Sequence, residues 1–252
     1  MKTIAPWVLL VTLARVAEAA PQVLVVEDED PVAVASDDQM VYWALRSTVR
    51  GLPVAGGQPV TLAELPEISA LVATPSGLVA ATEDTLWLVD RKGKKRALYR
   101  APGRLIRAIG SEGTRVFVAE HPRPRSPGDL RRGSILAISL PGGRVRPIAR
   151  NVDGAIALTV GGGHVYWPSA LEIWRAPVAG GKPERVLVSA TPVLPRDPEK
   201  PQPRPRVQEL RWIEGQLWWQ VGSTIWRGGE IAPAWPPPDG TYYFVERTLY
   251  RR

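Results

Sequence analysis

A chain of 252 residues with 32 Lys and Arg against 25 Asp and Glu, and with no cysteine, excludes disulfide cross-links, thiolate catalysis and cysteine-ligated metals. Its two histidines leave little for a zinc site, and its formal charge of +7 suits solubility or attraction to anionic surfaces. The length fits one all-β barrel or propeller, large enough to bury a stable core without covalent staples.

Residues 1–19 have the form of a secretory signal peptide. Lys2 supplies a positive start, Trp7 to Leu13 an apolar core and Ala17-Glu18-Ala19 a small-residue cleavage site, with Arg15 an unusual charge inside the segment. The apolar run is far shorter than the ~20 residues a membrane-spanning helix needs, so no transmembrane segment is expected after cleavage. Without a cysteine near Ala19, no lipid anchor is expected either. Residues 20–252 are thus expected to form a single domain, secreted or periplasmic, and still basic.

The next segment, PQVLVVEDED, reads as a strand from Gln22 to Glu27 running into an acidic stretch, Glu27 to Asp30. That stretch lacks the spacing of an EF-hand loop and reads as a solvated strand end. Beyond it the chain repeats itself. VYWALRSTVRGLPVAGGQP from Val41 matches VYWPSALEIWRAPVAGGKP from Val165, with tyrosines, tryptophans, prolines and paired glycines in register. Weaker copies begin at Ser76, Gly113, Gly215 and Gly240, giving units of roughly forty residues, the length of a four-stranded propeller blade. Each unit alternates Val, Ile, Leu, Trp and Tyr with polar residues between Gly, Asp and Pro turns, the pattern of short antiparallel strands. Ser36-Asp37-Asp38, Pro75-Ser76-Gly77, Glu112-Gly113 and Gly161-Gly162-Gly163 each precede the same strand of a unit, and are read as tight turns.

The predicted fold is therefore all-β, a propeller of about six short antiparallel blades with the last incomplete. The chain stops at Arg252 after that unit's third strand, whereas Gln22 to Glu27 resembles the fourth strands elsewhere, so the two are expected to pair and remove an open edge. Pro236-Pro237-Pro238 argues that the innermost strand of that blade is missing or degenerate, because proline donates no ladder bond. Two Pro/Arg-rich insertions, 121–133 and 192–207, interrupt the period and read as solvated loops or as a basic binding flap.

At VYW…LPVAGG and VYW…APVAGG the sequence resembles the YWTD-type six-bladed propellers of the low-density-lipoprotein-receptor class and their bacterial secreted relatives. The resemblance implies that Tyr42-Trp43 and Tyr166-Trp167 lie on second strands and that the fold serves as a protein-binding platform. It also implies an aspartate tying neighbouring blades. Ala44-Leu45 and Pro168-Ser169 stand where threonine and aspartate would, so packing has to substitute there.

Trp87, Trp174 and Trp226 occupy equivalent third-strand positions and are expected to wedge between blades, whereas Trp212 and Trp235 fit the repeat less well and are the tryptophans expected to make exposed contacts. With Arg123, Arg125, Arg204 and Arg206 of the insertions they form the candidate binding set. Glu67, Asp153 and Glu209, near equivalent strand entries, are the only plausible metal set, for a channel Ca²⁺ of the kind six-bladed lactonases hold. No G-x-S-x-G elbow or paired histidine suggests a nucleophile, no catalytic residue is assigned, and the dispersed arginines with glutamates between them do not suggest nucleic acid. The expected function is non-catalytic binding or scaffolding of a protein or glycan outside the cytoplasm, without a cofactor. The alternative is a channel-cation-dependent hydrolase or lactonase.

Overall fold

The computed structural model describes residues 22–124, 132–188, 206–221, 224–228, 230–231, 242–245 and 248–251. Every regular element among them is a strand, and no helix long and apolar enough to cross a membrane occurs among them. The signal-peptide segment, Trp235, Arg125, Arg204 and the triple proline lie outside the described residues.

After β1 (Gln22–Val26) come five four-stranded antiparallel sheets in chain order. Blade one is β2–β5 (Ala33–Ser36, Met40–Ala44, Thr48–Pro53, Val60–Glu64) and blade two is β6–β9 (Ala70–Thr74, Gly77–Ala81, Thr85–Val89, Lys95–Arg100). Blade three is β10–β13 (Arg104–Glu112, Arg115–Pro122, Gly133–Ser139, Arg144–Val152), and blade four is β14–β17 (Thr159–Gly161, His164–Ser169, Glu172–Pro177, Glu184–Val188). Blade five is β18–β21 (Val207–Ile213, Gln216–Val221, Thr224–Arg227, Glu230–Ile231). The last two strands, β22 (Tyr242–Val245) and β23 (Thr248–Arg251), join β1 in a three-stranded sheet of order β1-β23-β22. Gln22 pairs with Arg251 and Val26 with Thr248, so the chain's two ends share a sheet as the sequence led us to expect. Among the described residues this closing sheet has no fourth strand.

Successive side chains of a strand point to opposite faces. In a ring of sheets each face meets a different neighbour. Tyr42 of β3 therefore packs with Leu71, Leu78 and Val89 of blade two, while Trp43 packs with Val25 of the closing strand. Tyr166 and Trp167 do the same for blades five and three. On the backward-facing side each second-strand residue sits opposite one third-strand residue: Trp43 with Arg50, Ala80 with Trp87, Val118 with Leu136, Trp167 with Trp174, Trp219 with Trp226. Trp87, Trp174 and Trp226 are half-buried in the layer between their own blade and the one before, as the repeat suggested.

Blade one breaks this series with Arg50, and the break explains Glu27. The acidic stretch read as a solvated strand end is not one at its first residue. Glu27 is 6% exposed, accepts the Trp43 indole N–H at 2.7 Å, and takes Nη1 of Arg50 on both oxygens at 2.9 and 2.7 Å. A guanidinium placed in an inter-blade layer needs an anion there, and the chain leaving β1 supplies it. A second buried acid, Glu120, lies where Leu45 and Ser169 lie in their blades. It accepts the Tyr99 hydroxyl of blade two at 2.7 Å and pairs with Arg104 Nε at 2.6 Å.

Further ties run between hairpins. Arg96 of blade two donates to the Pro141 carbonyl of blade three, and the equivalent Arg146 of blade three donates to Val178 O at 2.8 Å and to Ala179 O of blade four. Between blades one and two, Asp37 accepts the Gln39 and Met40 amides at 2.9 Å, the Tyr42 hydroxyl at 3.0 Å, and Arg91 at 3.4 Å. Burial alone would raise the Asp37 carboxyl. The two amides, Tyr42 and the Arg91 charge outweigh it and hold the group below its ordinary value. Burial, and then Asp37 itself, push Tyr42 up to about 12, and burial with the Glu120 hydrogen bond pushes Tyr99 up as well.

Two measurements check this frame. Trp43→Phe is expected to cost ~1–3 kcal/mol more in urea unfolding than Trp87→Phe, because only the first strips a partner from a buried carboxylate; the Trp87 indole N–H is buried with no partner among the described residues. Equal losses would remove Glu27 from the account. For pH, a tyrosine whose pKa rises on folding stabilises fully below its unfolded value of ~10 and loses that contribution as pH climbs through its folded value. Stability is accordingly expected to fall between pH ~10 and about 12, and a Tyr42→Phe/Tyr99→Phe double variant to flatten that decline. Asp37 has the opposite sign, its contribution being lost only as pH drops below ~3.9.

Candidate binding face

Strand direction divides the loops between two faces. The hairpins at Asp37, Pro75 and Gly162 and the paired glycines Gly56-Gly57 and Gly180-Gly181 lie on one, which we term the turn face. The connections that lead into each innermost strand lie on the other, the entry face. Because β11 ends and β12 begins there, and because β17 ends and β18 begins there, both Pro/Arg-rich insertions leave and rejoin the fold on the entry face.

The channel opens on the same face as a cavity of about 240 Å³ lined by three residues from each of the first four blades and four from the fifth. Register aligns them. The middle layer is Ala33, Ala70, Ala108 and Ala157, with Glu209 in the fifth place; Ala33, Ala70, Ala108 and Glu209 face Ala44, Ala81, Ala119 and Gln220 of their second strands. The layer below is Val34, Leu71, Ile109, Leu158 and Leu210, and that above is Val32, Ser69, Arg107, Ile156 and Gln208. Arg107 and Gln208 are each the extra residue of a β-bulge, between Ile106 and Ala108 and between Val207 and Glu209. A bulge re-aims its side chain, and both are exposed. Most residues around the channel are thus small or aliphatic, and its polar side chains are Ser69, Arg107 and Gln208 in the upper layer with Glu209 and Arg211 of blade five below them.

The three carboxylates considered as a metal set are not brought together. Glu209 lines the channel and stands 3.8 Å from Arg211. Asp153 belongs to a cleft between blades three and four and pairs with Arg132 at 3.2 Å. Glu67 lies against Arg46 at 3.7 Å with 72% of its side chain exposed. Among the described residues no three His, Cys, Asp or Glu side chains form a group able to hold a metal ion. Strand entries equivalent in sequence are spread around the ring, so each carboxylate met a nearby arginine instead.

Trp212 also departs from expectation. Its ring is half-buried, stacked on Tyr166 with centroids 5.3 Å apart and planes 17° from parallel, and it lies over the glycine turn. The glycines make this possible: a Cβ on Gly161 would stand 2.0 Å from Trp212 Cδ1. Trp212 N also donates to Thr159 Oγ1 at 3.1 Å, so the residue clamps blade five to blade four rather than presenting an open platform. Arg123 is exposed on the entry face and bonded to Glu83 of blade two, whose carboxylate raises its pKa further. Arg206 is exposed immediately before β18.

One feature of this face had no counterpart in the sequence reading. The cleft holding Asp153 measures about 280 Å³ and is bordered by Arg132, Arg150, Asn151, Ser169 and Trp174. Its residues come from two blades and are spread over more than forty positions of sequence, so no local pattern announces it. The Trp174 indole donates to Glu172 at 3.0 Å, and hydrogen bonds from Arg185 and then Trp174 hold the Glu172 carboxyl below its ordinary value.

No protein-family model matches the sequence, and no curated protein matches it. Solved structures do. A gluconolactonase from Xanthomonas campestris superposes with a TM-score of 0.65 at 14% identity, covering 93% of this chain and 89% of the other. A calcium-binding regucalcin from Agrobacterium tumefaciens gives 0.60 at 19% identity, over 84% and 76% of the two chains. A chain of a nidogen/laminin complex gives 0.58 at 14%, over 79% and 75%. At these identities the likeness establishes the fold, a small-bladed antiparallel β-propeller, and nothing finer.

Gly161→Ala is expected to displace the Trp212 ring and to cost about 1–3 kcal/mol beyond the loss caused by Gly163→Ala, whose Cβ would meet nothing within 4 Å. Urea unfolding of the two variants decides it. Matching losses would mean that Trp212 does not clamp the blades.

Proposed function

We propose that this chain is a non-catalytic binding or scaffolding propeller acting outside the cytoplasm, and that its partner, a protein or a glycan, docks on the entry face. One observation carries the reading: the ends of both Pro/Arg-rich insertions, the channel mouth and the exposed Arg107, Arg123 and Arg206 all lie on that face. Loops on a rigid scaffold are where propellers vary without disturbing their core. Basic side chains there would steer an acidic partner and fade with salt. A propeller of similar fold in a nidogen/laminin complex supports the capacity of such a scaffold for protein contacts. We take the three-stranded closing sheet as a sixth, incomplete blade, and Tyr42-Trp43 and Tyr166-Trp167 as the basis for kinship with the YWTD class.

The alternative, cation-dependent hydrolysis in the channel, is favoured only by Glu209 standing in a layer otherwise made of alanine. It calls for further oxygen ligands from other blades.

Site-specific photo-cross-linking in cells of the source organism tests the docking face. Probes replacing Arg46, Pro124 and Arg206 are expected to give adducts, and probes at Gln58 and Gly142 on the turn face are not. Adducts confined to the turn face would overturn the assignment. Lactone turnover that needs Ca²⁺ and disappears in Glu209→Gln would replace it with the alternative.

A further inference from the structure

The cleft between blades three and four lies outside the channel and presents a donor set unlike the channel's. Blade three supplies Arg132, just before β12, Arg150 and Asn151, at the end of β13, and Asp153, just after it; blade four supplies Ser169 and Trp174. Trp174 is half-buried, and its Nε1–Glu172 hydrogen bond fixes the plane of the ring whose remaining surface borders the cleft. Arg132 Nε holds Asp153 Oδ1 at 3.2 Å, which leaves the other carboxylate oxygen able to accept from a ligand. Arg150 is exposed and makes no ion pair among the described residues. Asn151 sits at φ 56°, a conformation asparagine tolerates better than most residues.

We propose that this cleft binds one pyranose ring bearing a carboxylate, a uronic acid unit of a free or polymeric glycan. The inference rests on the reading of the entry face as a binding surface and gives it a ligand class. An indole wall suits the C–H face of a sugar ring. The Asp153 carboxylate, the Ser169 hydroxyl and the Asn151 amide provide acceptors and donors for ring hydroxyls, and the Arg150 guanidinium matches a carboxylate in bidentate geometry. The set is mixed in a telling way. A neutral sugar would leave Arg150 unanswered, and an acidic peptide would bring further carboxylates against Asp153. The volume of about 280 Å³ falls just below the ~300–1,000 Å³ usual for drug-sized ligand clefts, which accommodates a single ring rather than a folded segment.

Isothermal titration of the full chain with glucuronate and galacturonate, against glucose and galactose, tests the proposal. The uronates are expected to bind at least about tenfold more tightly than their neutral parents, the range of one charge-assisted contact. Arg150→Gln is expected to erase that difference without changing the melting temperature. Asp153→Asn is expected to weaken acidic and neutral sugars together, and Lys92→Gln, exposed in the β8–β9 turn on the turn face, to change neither. Equal binding of acidic and neutral sugars, no saturable binding of either uronate, or discrimination that survives Arg150→Gln would each overturn it. Entry-face cross-links that persist alongside a silent titration would mean that this cleft is not the site while the face is; loss of both would end both readings.

Discussion

A four-stranded sheet in this chain has two apolar faces, and among the described residues there is no helix to cover either, so each is buried by another sheet on its side. That requirement runs through every blade. The buried residues among those described fall into separate layers, one at each boundary from the closing strand round to blade five, rather than into one central core. A layered ring cannot stop halfway, because a first and a last sheet would each leave an apolar face in water. Closure by β1 against β23 is therefore a condition of stability for the other blades as well. Glu27 reinforces it at the point where the closing strand leaves its sheet, by gripping Trp43 and Arg50 of the first blade. The acid and the guanidinium have been taken largely out of water, so each depends on the other remaining in place.

The ties between blades differ in kind between the two faces. On the turn face, Arg96 and Arg146 reach the carbonyls of the following hairpin, and Asp37 and Gln39 both engage Arg91. Short loops and inter-hairpin hydrogen bonds leave that face little freedom to acquire new contacts. On the entry face the amides of Ile68, Ile106 and Val207 donate to the hairpin carbonyls of Arg46, Glu83 and Ala170 in the preceding blade at 2.8, 2.8 and 2.9 Å, and the bulges at Arg107 and Gln208 turn polar side chains outward at the channel mouth. Both faces thus help to hold the ring together, the turn face through side chains and the entry face through repeated backbone hydrogen bonds.

Much of this was legible in the sequence, for identifiable reasons. The matched segments at Val41 and Val165 gave the blade, and the likeness of the Gln22 strand to fourth strands elsewhere gave the closure, because period-2 patterning and turn residues act locally. Glu27 was misread because its environment is set by Trp43 and Arg50, sixteen and twenty-three residues away, and by a strand pairing that joins the chain's ends. The signal was nonetheless present: Arg50 stands where Trp87, Trp174 and Trp226 stand, and a charge in a series of half-buried indoles between blades implies a counter-charge. Trp212 was misplaced for a related reason. Its partner surface is the backbone of Gly161 and Gly162, and glycines already explained as turn residues gave no hint that they also make room for an indole.

The carboxylates teach a more general point about repeats. Glu67, Asp153 and Glu209 were grouped because they fall near equivalent strand entries, and equivalence in a propeller means the same position in different blades, related by rotation about the axis. Such residues converge only if they stand on the innermost strand and face the channel. Glu209 meets that condition, whereas Asp153 and Glu67 precede the first strands of blades four and two and lie away from the axis against Arg132 and Arg46. Convergence of unlike residues follows a different geometry. The cleft between blades three and four combines the end of one blade's outer strand with the middle strands of the next, so it gathers arginine, aspartate, asparagine and tryptophan with no common repeat position. A site in this fold is therefore more readily built across a blade boundary, where the sequences of two modules differ, than from a repeated position, where the demands of packing hold every module to the same small or apolar choice.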